Sequence, residues 1–329
     1  MGLRAYIAKR IVYTLILLFL VLTLNFIIFE ATPGNPLEAY IARVAQSGRK
    51  DIQEIINKMR ELWGLNKPLH EKYVIYIKNM LTFNFGYSYL AGHEDVSALI
   101  LGRLPNTLLL LGISSLLAVI LGTIFGVLAA SKRGKPFDTT MVIISLLTFA
   151  LPTFWIGMIL QGIFAFQLKI LPVQGYEPIP PPKEPFAYIL GRIYYLILPC
   201  LTLFLFTYGG YVLLARAATL ENITEDYVIT AKAKGLKDRT ILFKHVLKNA
   251  SLPIITNAAL TFASILGGAI ITETVFSYAG IGTLIYESIL LHDTPVMQAF
   301  FYITALCTII ANFIADLLYG VIDPRIKYG

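Results

Sequence analysis

Residues Ile11–Phe29 read IVYTLILLFLVLTLNFIIF, 19 residues without a single charge. About 20 consecutive apolar residues are needed to cross the hydrocarbon of a bilayer. The core of a signal peptide is shorter, about 7–15 residues, and ends in a small-residue cleavage site. Here the run continues to Phe29 and then meets Glu30 and Pro33. The stretch therefore reads as a retained membrane span, with cleavage as the alternative.

Outward from this block the pattern repeats. Further apolar blocks lie near 105–130, 139–167, 193–215, 252–276 and 296–320, so the sequence predicts six spans. Hydrocarbon offers no partner for backbone N–H and C=O groups, so each span should be a helix. The expected fold class is an all-α polytopic membrane protein with six transmembrane helices. The composition agrees: 57% of residues are hydrophobic and 14% charged, against about 25% charged in a soluble domain. The net charge of +7 is what short loops on the inner side of a membrane protein supply. It does not require a nucleic-acid partner. Cys200 and Cys307 lie inside apolar blocks with no CxxC neighbour, which predicts buried thiols and neither a disulfide framework nor a metal site.

Basic residues orient the chain. One set of segment ends holds Arg4, Lys9, Arg10, Lys132, Arg133, Lys135, the seven Lys and Arg from Arg216 to Lys248, Arg325 and Lys327. The opposite short segments hold only Lys169, Lys183 and Arg192. Positive loops stay inside, so both termini should be cytoplasmic in a multi-pass protein of the cell membrane. The expected divisions are an N-terminal span (1–30), an external segment (31–104), and a core (105–329) containing a loop at 216–251. In the external segment, Asp51 should cap a helix with Ile52, Ile55, Ile56, Met59 and Leu62 on one face, ended by Gly64. A second helix should follow Pro68, with Val74, Ile77 and Leu81 on one face. This segment reads either as a cap on the membrane surface or as a landing surface for an external partner.

Small residues recur four apart in the second span: Ser114, Ala118, Gly122, Gly126 and Ala130. Such a row lets another helix backbone approach closely. Gly267 and Gly268 offer the same in the fifth. Polar residues within the blocks are Asn25, Gln161, Asn257, Glu273, Asn312 and Asp316. Ionisable groups inside a membrane are functional candidates, but Glu273 and Asp316 lie toward span ends, where water is close. Asn257, Glu273 and Asn312 are candidates for lining a solute path, or else interhelical hydrogen-bond partners. No HExxH or GxSxG occurs, and His70, His93, His245 and His292 are scattered. Gly134-Lys135 is followed by proline, and the first glycine of a phosphate loop is missing. The sequence thus predicts no enzyme and no ATP site of its own. A secondary transporter or channel acting alone is the competing reading.

The segment Arg216–Pro253 reads RAATLENITEDYVITAKAKGLKDRTILFKHVLKNASLP. Thr224 is an expected N-cap, with Glu225 and Asp226 in the first turn, where the helix dipole favours acids. Lys232 and Lys234 fall in the last turn, and Gly235 fits the left-handed residue past the end. Asp238 should cap a second helix running to Asn249, and Pro253 should open the fifth span. The product is a helix–glycine–helix elbow with a small, basic exposed tip at Ala231, Ala233 and Gly235. It reads as an ordinary positive loop or as a docking element for another protein.

Thr230-Ala231-Lys232, Gly235 and Leu252-Pro253 resemble the cytoplasmic "EAA" loop of ABC-importer permeases. Thr stands where that pattern has Glu, Lys where it has its second Ala, and the glycine-to-proline distance is longer. The departures are similar to the dipeptide/oligopeptide/nickel branch, whose DYVxTAxAKG form fits Asp226-Tyr227-Val228-Ile229-Thr230-Ala231-Lys232-Ala233-Lys234-Gly235. Ala31-Thr32-Pro33-Gly34-Asn35-Pro36, Arg103-Leu104-Pro105-Asn106-Thr107, Glu273 to Ser277 with Gly280-Ile281-Gly282, and Asp323-Pro324-Arg325 resemble that branch's other motifs. The layout is similar to its B-type permease. The resemblance implies a five-part importer: a second homologous permease, two cytoplasmic ATPases that bind ATP and magnesium, and an external solute-binding protein. This chain would bind no cofactor. Asp226, Tyr227, Thr230, Ala231, Lys232, Ala233, Lys234 and Gly235 would couple it to the ATPases. Peptides are the expected cargo, with nickel or oligosaccharides as the branch's alternatives.

Overall fold

The computed structural model describes residues 3–31, 57, 67–88, 94–263 and 269–322. The expected helix from Asp51 to Gly64, the pair Gly267-Gly268, the motif residues 32–36 and 323–325 all lie outside the described residues. What is described is helical, with one isolated backbone bridge between Tyr87 and Asp95 and no strand. Among the described residues three helices are long and apolar enough to cross a membrane: Ile7–Ala31, Val96–Ser131 and Pro185–Asn222.

The chain divides into two compact units. The first comprises residues 1–105 and 280–329. Its α1, Leu3–Ala31, lies against α2, Leu69–Leu81, and against Thr294–Ile322, the last helix of the chain. Asn25 donates to the Gln298 carbonyl at 3.1 Å, the Phe26 ring meets Tyr73 at 5.2 Å, and Lys72 pairs with Glu30 at 2.7 Å. The helix after Pro68 forms, but its expected inner face is wrong. Tyr76, Asn79 and Met80 are buried, whereas Val74 and Leu81 are exposed. The aromatic residues decide the face, because Tyr73 and Tyr76 stack on Phe26 of α1. A further helix that the span count did not include, Ile281–Leu290, packs on Thr294–Ile322. Ser88 donates to Asp293 at 2.5 Å beside them.

The second unit is residues 106–279. Helix α3, Val96–Ser131, brings the chain into it. It starts nine residues before the expected span because the Asp95 carboxylate accepts the Ala98 N–H at 3.0 Å and caps it. Pro105 is carried inside the helix. The block 139–167 is not one straight span. It consists of α4, Pro136–Ala150, and α5, Thr153–Leu160, which continues as a π-helical stretch Gln161–Gln167. The two arms are bent by 105°. The cause is Pro152, which pushes Leu151 into extended backbone (φ −80°, ψ 136°) and supplies no N–H to continue the ladder.

Helix α6, Pro185–Asn222, is the spine of this unit, with α4, α5 and α8, Leu247–Ala263, packed around it. The row of small residues on α3 faces it. An added Cβ on Gly122 would lie 2.6 Å from Tyr211 Cβ, and one on Gly126 would lie 2.5 Å from the Val212 carbonyl oxygen. Ser114, Ala118 and Ala130 are buried along the same line, and Ala118 clusters with Tyr211, Ala215 and Ile254. The seam read from the spacing is a close helix–helix contact. At its end Arg216 grips Asp138 through both nitrogens, Nε at 2.6 Å and Nη2 at 2.9 Å. The same carboxylate accepts the Gly134 N–H at 3.0 Å. One buried acid therefore ties the α3–α4 turn to α6. The block 252–276 also differs from the expected single span. Pro253 lies inside α8, which begins earlier, and α9, Ile270–Val275, is a separate element.

Candidate functional site

The elbow follows directly from α6. Helix α7, Asp226–Ala233, is one residue shorter at each end than expected. Thr224 does not cap it. The Thr224 hydroxyl turns back and donates to the Glu221 carbonyl at 2.8 Å, while Glu225 takes the N-cap backbone conformation without a side-chain bond. The far end is as the glycine requires. Gly235 has φ +74°, its N–H bonds the Lys232 carbonyl at 2.9 Å, and the Leu236 N–H bonds the Ala231 carbonyl at 3.3 Å. These two bonds form a Schellman stop. Asp238 is the first residue of the next helical turn rather than its cap, Lys237 taking that place. The run then passes through a π-helical stretch, Ile241–Val246, directly into α8. The expected end at Asn249 does not occur, so the elbow's second arm and the next apolar helix are one rod.

Two faces of α7 separate cleanly. Val228 and Ala231 are buried and cluster with Ile241 and Val246 of the second arm. Asp226, Ile229, Thr230 and Ala233 are exposed, at positions i, i+3, i+4 and i+7 of one helix face. Lys232, Lys234 and Gly235 are exposed beside them. Ala231, expected at the exposed tip, is instead buried and holds the elbow closed. Ile229, 63% exposed, was missed. Its i+3 spacing from Asp226 is the sequence signal for it. Tyr227 is half-buried and its hydroxyl reaches Asn222 at 3.4 Å.

Within the second unit the solute-path candidates Glu273 and Asn257 have separate partners. Glu273 is fully buried, and the Thr107 hydroxyl donates to its Oε1 at 2.8 Å. Proximity to a span end did not bring it to water, and it links α9 to α3. Gln161 likewise donates to the Val173 and Val275 carbonyls, at 2.8 and 3.2 Å. Asn257 is exposed on α8, where its carbonyl accepts from Thr261 and its side chain reaches Tyr211. Asn312 belongs to the other unit and is exposed on Thr294–Ile322. What the second unit does form is a cavity of about 480 Å³ lined by Ser114, Ser115, Thr153, Thr207, Thr261 and Thr272 among apolar residues, with the Ser114, Thr207 and Thr261 hydroxyls donating to carbonyls of their own helices. Among the described residues no charged side chain lines it. At one end of α6, Arg192 reaches the Asn106 side chain and lies 5.4 Å from the centre of the Tyr176 ring, while Asn106 donates to the Ala279 carbonyl at 2.6 Å. Among the described residues no three metal-ligating side chains come together.

Residues 122–328 match the family described as "Binding-protein-dependent transport system inner membrane component", and residues 3–111 match its N-terminal counterpart. The chain belongs to this family. It is a permease subunit of an ABC importer, and an inner-membrane component by that description. The oligopeptide transport system permease protein AppB of Bacillus subtilis is 36% identical over 98% of this chain and 99% of its own length. The di/tripeptide transport system permease protein DppB of Pseudomonas aeruginosa is 35% identical, with the same coverage. The glutathione transport system permease protein GsiC of Escherichia coli is 32% identical. Among solved structures, the inward-facing MetNI methionine ABC transporter aligns with a TM-score of 0.51 over 69% of this chain and 97% of that one, at 15% identity. That likeness concerns the fold.

Proposed function

We propose that this permease forms half of the solute path of an ATP-driven importer of di- and oligopeptides, and that the elbow at 225–250 couples it to cytoplasmic ATPases. The observation that carries the reading is the two-faced helix Asp226–Ala233. Its inner face is used up in packing the elbow, and its outer face presents Asp226, Ile229, Thr230 and Ala233 at the spacing with which a helix seats in a groove. Asp226, Tyr227, Thr230, Lys232, Ala233, Lys234 and Gly235 are the coupling set, with Ile229 added as its apolar anchor. Because the second arm is continuous with α8, force applied at α7 reaches the bundle through a rigid rod.

In this reading six spans cross the membrane, the bent pair of α4 and α5 counting as one and the last two helical blocks completing the number. Both termini are cytoplasmic, and residues 31–104 face outward. A second permease completes the channel, two ATPases hydrolyse ATP with magnesium, and an external binding protein delivers the cargo. The hydroxyl-lined cavity is this subunit's share of the path. Neutral hydroxyls can bond the backbone amides common to all peptides and impose no charge selection on side chains. The names of the oligopeptide and di/tripeptide relatives support the cargo class.

The test is reconstitution of the complete assembly in vesicles with its binding protein and a labelled tetrapeptide. Uptake that requires ATP, both permeases and the ATPases is expected. Uptake by this chain alone without ATP would overturn the reading in favour of a self-contained transporter.

A further inference from the structure

A second groove lies behind the elbow. It has a volume of about 820 Å³ and runs between one end of α3 and the second arm of the elbow. On the α3 wall, Ile124 and Leu128 stand one helical turn apart, and Lys132 follows in the turn just past the helix end, so this wall is apolar along the helix and cationic at its end. On the facing wall Arg239 stands at the elbow, and the π-helical stretch that follows adds Phe243 and the buried Val246 toward α8. Ile223, Val228 and Leu242 fill the floor, and Lys232 closes the rim. Both walls therefore have cations at the same end and hydrocarbon at the other. Asp238 is the one carboxylate among the lining residues. The Lys132 ammonium lies 4.7 Å from the centre of the Phe137 ring. Lys232, Arg239 and Asp238 are exposed and make no salt bridge among the described residues.

We infer that this groove holds one anionic phospholipid, the headgroup phosphate between Lys132 and Arg239 and an acyl chain along Ile124, Leu128 and Phe243. A free phosphate would use the cations but not the two apolar stripes. A neutral amphiphile would use the stripes but not the cations. Only an anionic headgroup on a hydrocarbon tail matches both ends, and basic pockets between membrane helices select such lipids. The bound lipid would brace the elbow against α3 along the side opposite its exposed outer face.

The test uses the assembled importer in vesicles of phosphatidylcholine containing a small fraction of phosphatidylglycerol with a photoreactive acyl chain. The control carries the same chain on phosphatidylcholine. Labelled peptides are mapped by mass spectrometry. We expect the phosphatidylglycerol probe to label segments 124–132 and 239–246 above the control. Labelling should fall about fivefold for each of Lys132→Gln and Arg239→Gln, and salt should weaken it for the anionic probe alone. The salt series needs no variant, so it stands if either substitution disturbs folding. Equal labelling by both probes, competition by inorganic phosphate stronger than that of chloride at equal ionic strength, or labelling that appears only when the ATPases are removed would each overturn the inference. The lipid is the same on both faces of these vesicles, so the outcome does not depend on the sidedness proposed above. That is read separately by reacting Lys234→Cys with an impermeant maleimide.

Discussion

Gly126 and Gly112 lie on the same helix, α3, and the structure assigns them opposite sensitivities. A Cβ at Gly126 would sit 2.5 Å from the Val212 carbonyl oxygen, 2.7 Å from Ala215 Cβ and 3.0 Å from the Arg216 backbone nitrogen. Two of these three are backbone atoms of α6, so no rotamer change relieves the contact. The helices would have to separate by about 1 Å to restore ordinary van der Waals distances. A Cβ at Gly112 meets nothing within 4 Å. Gly→Ala in a helix gains up to about 1 kcal/mol in propensity at either site. That gain cancels in the comparison and leaves overpacking, about 1–3 kcal/mol, as the difference. Gly126→Ala should therefore be less stable than Gly112→Ala by about that amount, with Gly112→Ala at or slightly above the parent. The assay is thermal unfolding of the purified full chain in detergent, followed by exposure of the buried Cys200 thiol to a fluorogenic maleimide. Equal stability of the two variants would refute the close seam between α3 and α6.

Gly235→Val forces a β-branched residue to φ +74°, which costs about 1–2 kcal/mol locally; peptide-stimulated ATPase activity should fall sharply while the bundle still assembles. Asp138→Ala removes the acceptor of Arg216 and Gly134 and should cost about 1–3 kcal/mol, since Arg216 keeps part of its exposure to solvent; the maleimide assay reads it. Glu273→Gln keeps an oxygen for Thr107 and should leave transport near the parent value, whereas Glu273→Ala removes the fully buried acceptor that joins α9 to α3 and should cost about 1–3 kcal/mol of stability. Unaltered stability together with changed peptide uptake in both Glu273 variants would instead mark the carboxylate as part of the solute path.

Much of this arrangement was legible because it rests on local chemistry. Gly235 could be placed past a helix end because φ > 0 is costly for other residues. The four-residue recurrence from Ser114 to Ala130 could only be a face, and that face met α6. Other features depend on contacts that one-dimensional patterning does not carry. The apolar run across Leu151 and Pro152 looks continuous to a hydropathy count, yet the proline bends it by 105°. Pro253 looks like a helix start but is tolerated inside α8, because the rod begins upstream in the elbow. Ala231 suits an exposed tip by its size, whereas helix phase turns it inward onto Ile241 and Val246. Glu273 stands toward the end of its apolar block, yet it is buried against Thr107, far away in sequence.

The central claim is that the outer face of Asp226–Ala233 meets a motor protein. A photo-cross-linking amino acid placed at Ile229 or Ala233 in the assembled importer should capture an ATPase subunit in native membranes, with a yield that changes between nucleotide-free and ATP-trapped states. The same residue at Ala231, which faces the elbow's interior, should capture only this chain. Capture of the ATPase from Ala231 but from neither outer position, or from none of the three in any nucleotide state, would contradict the account.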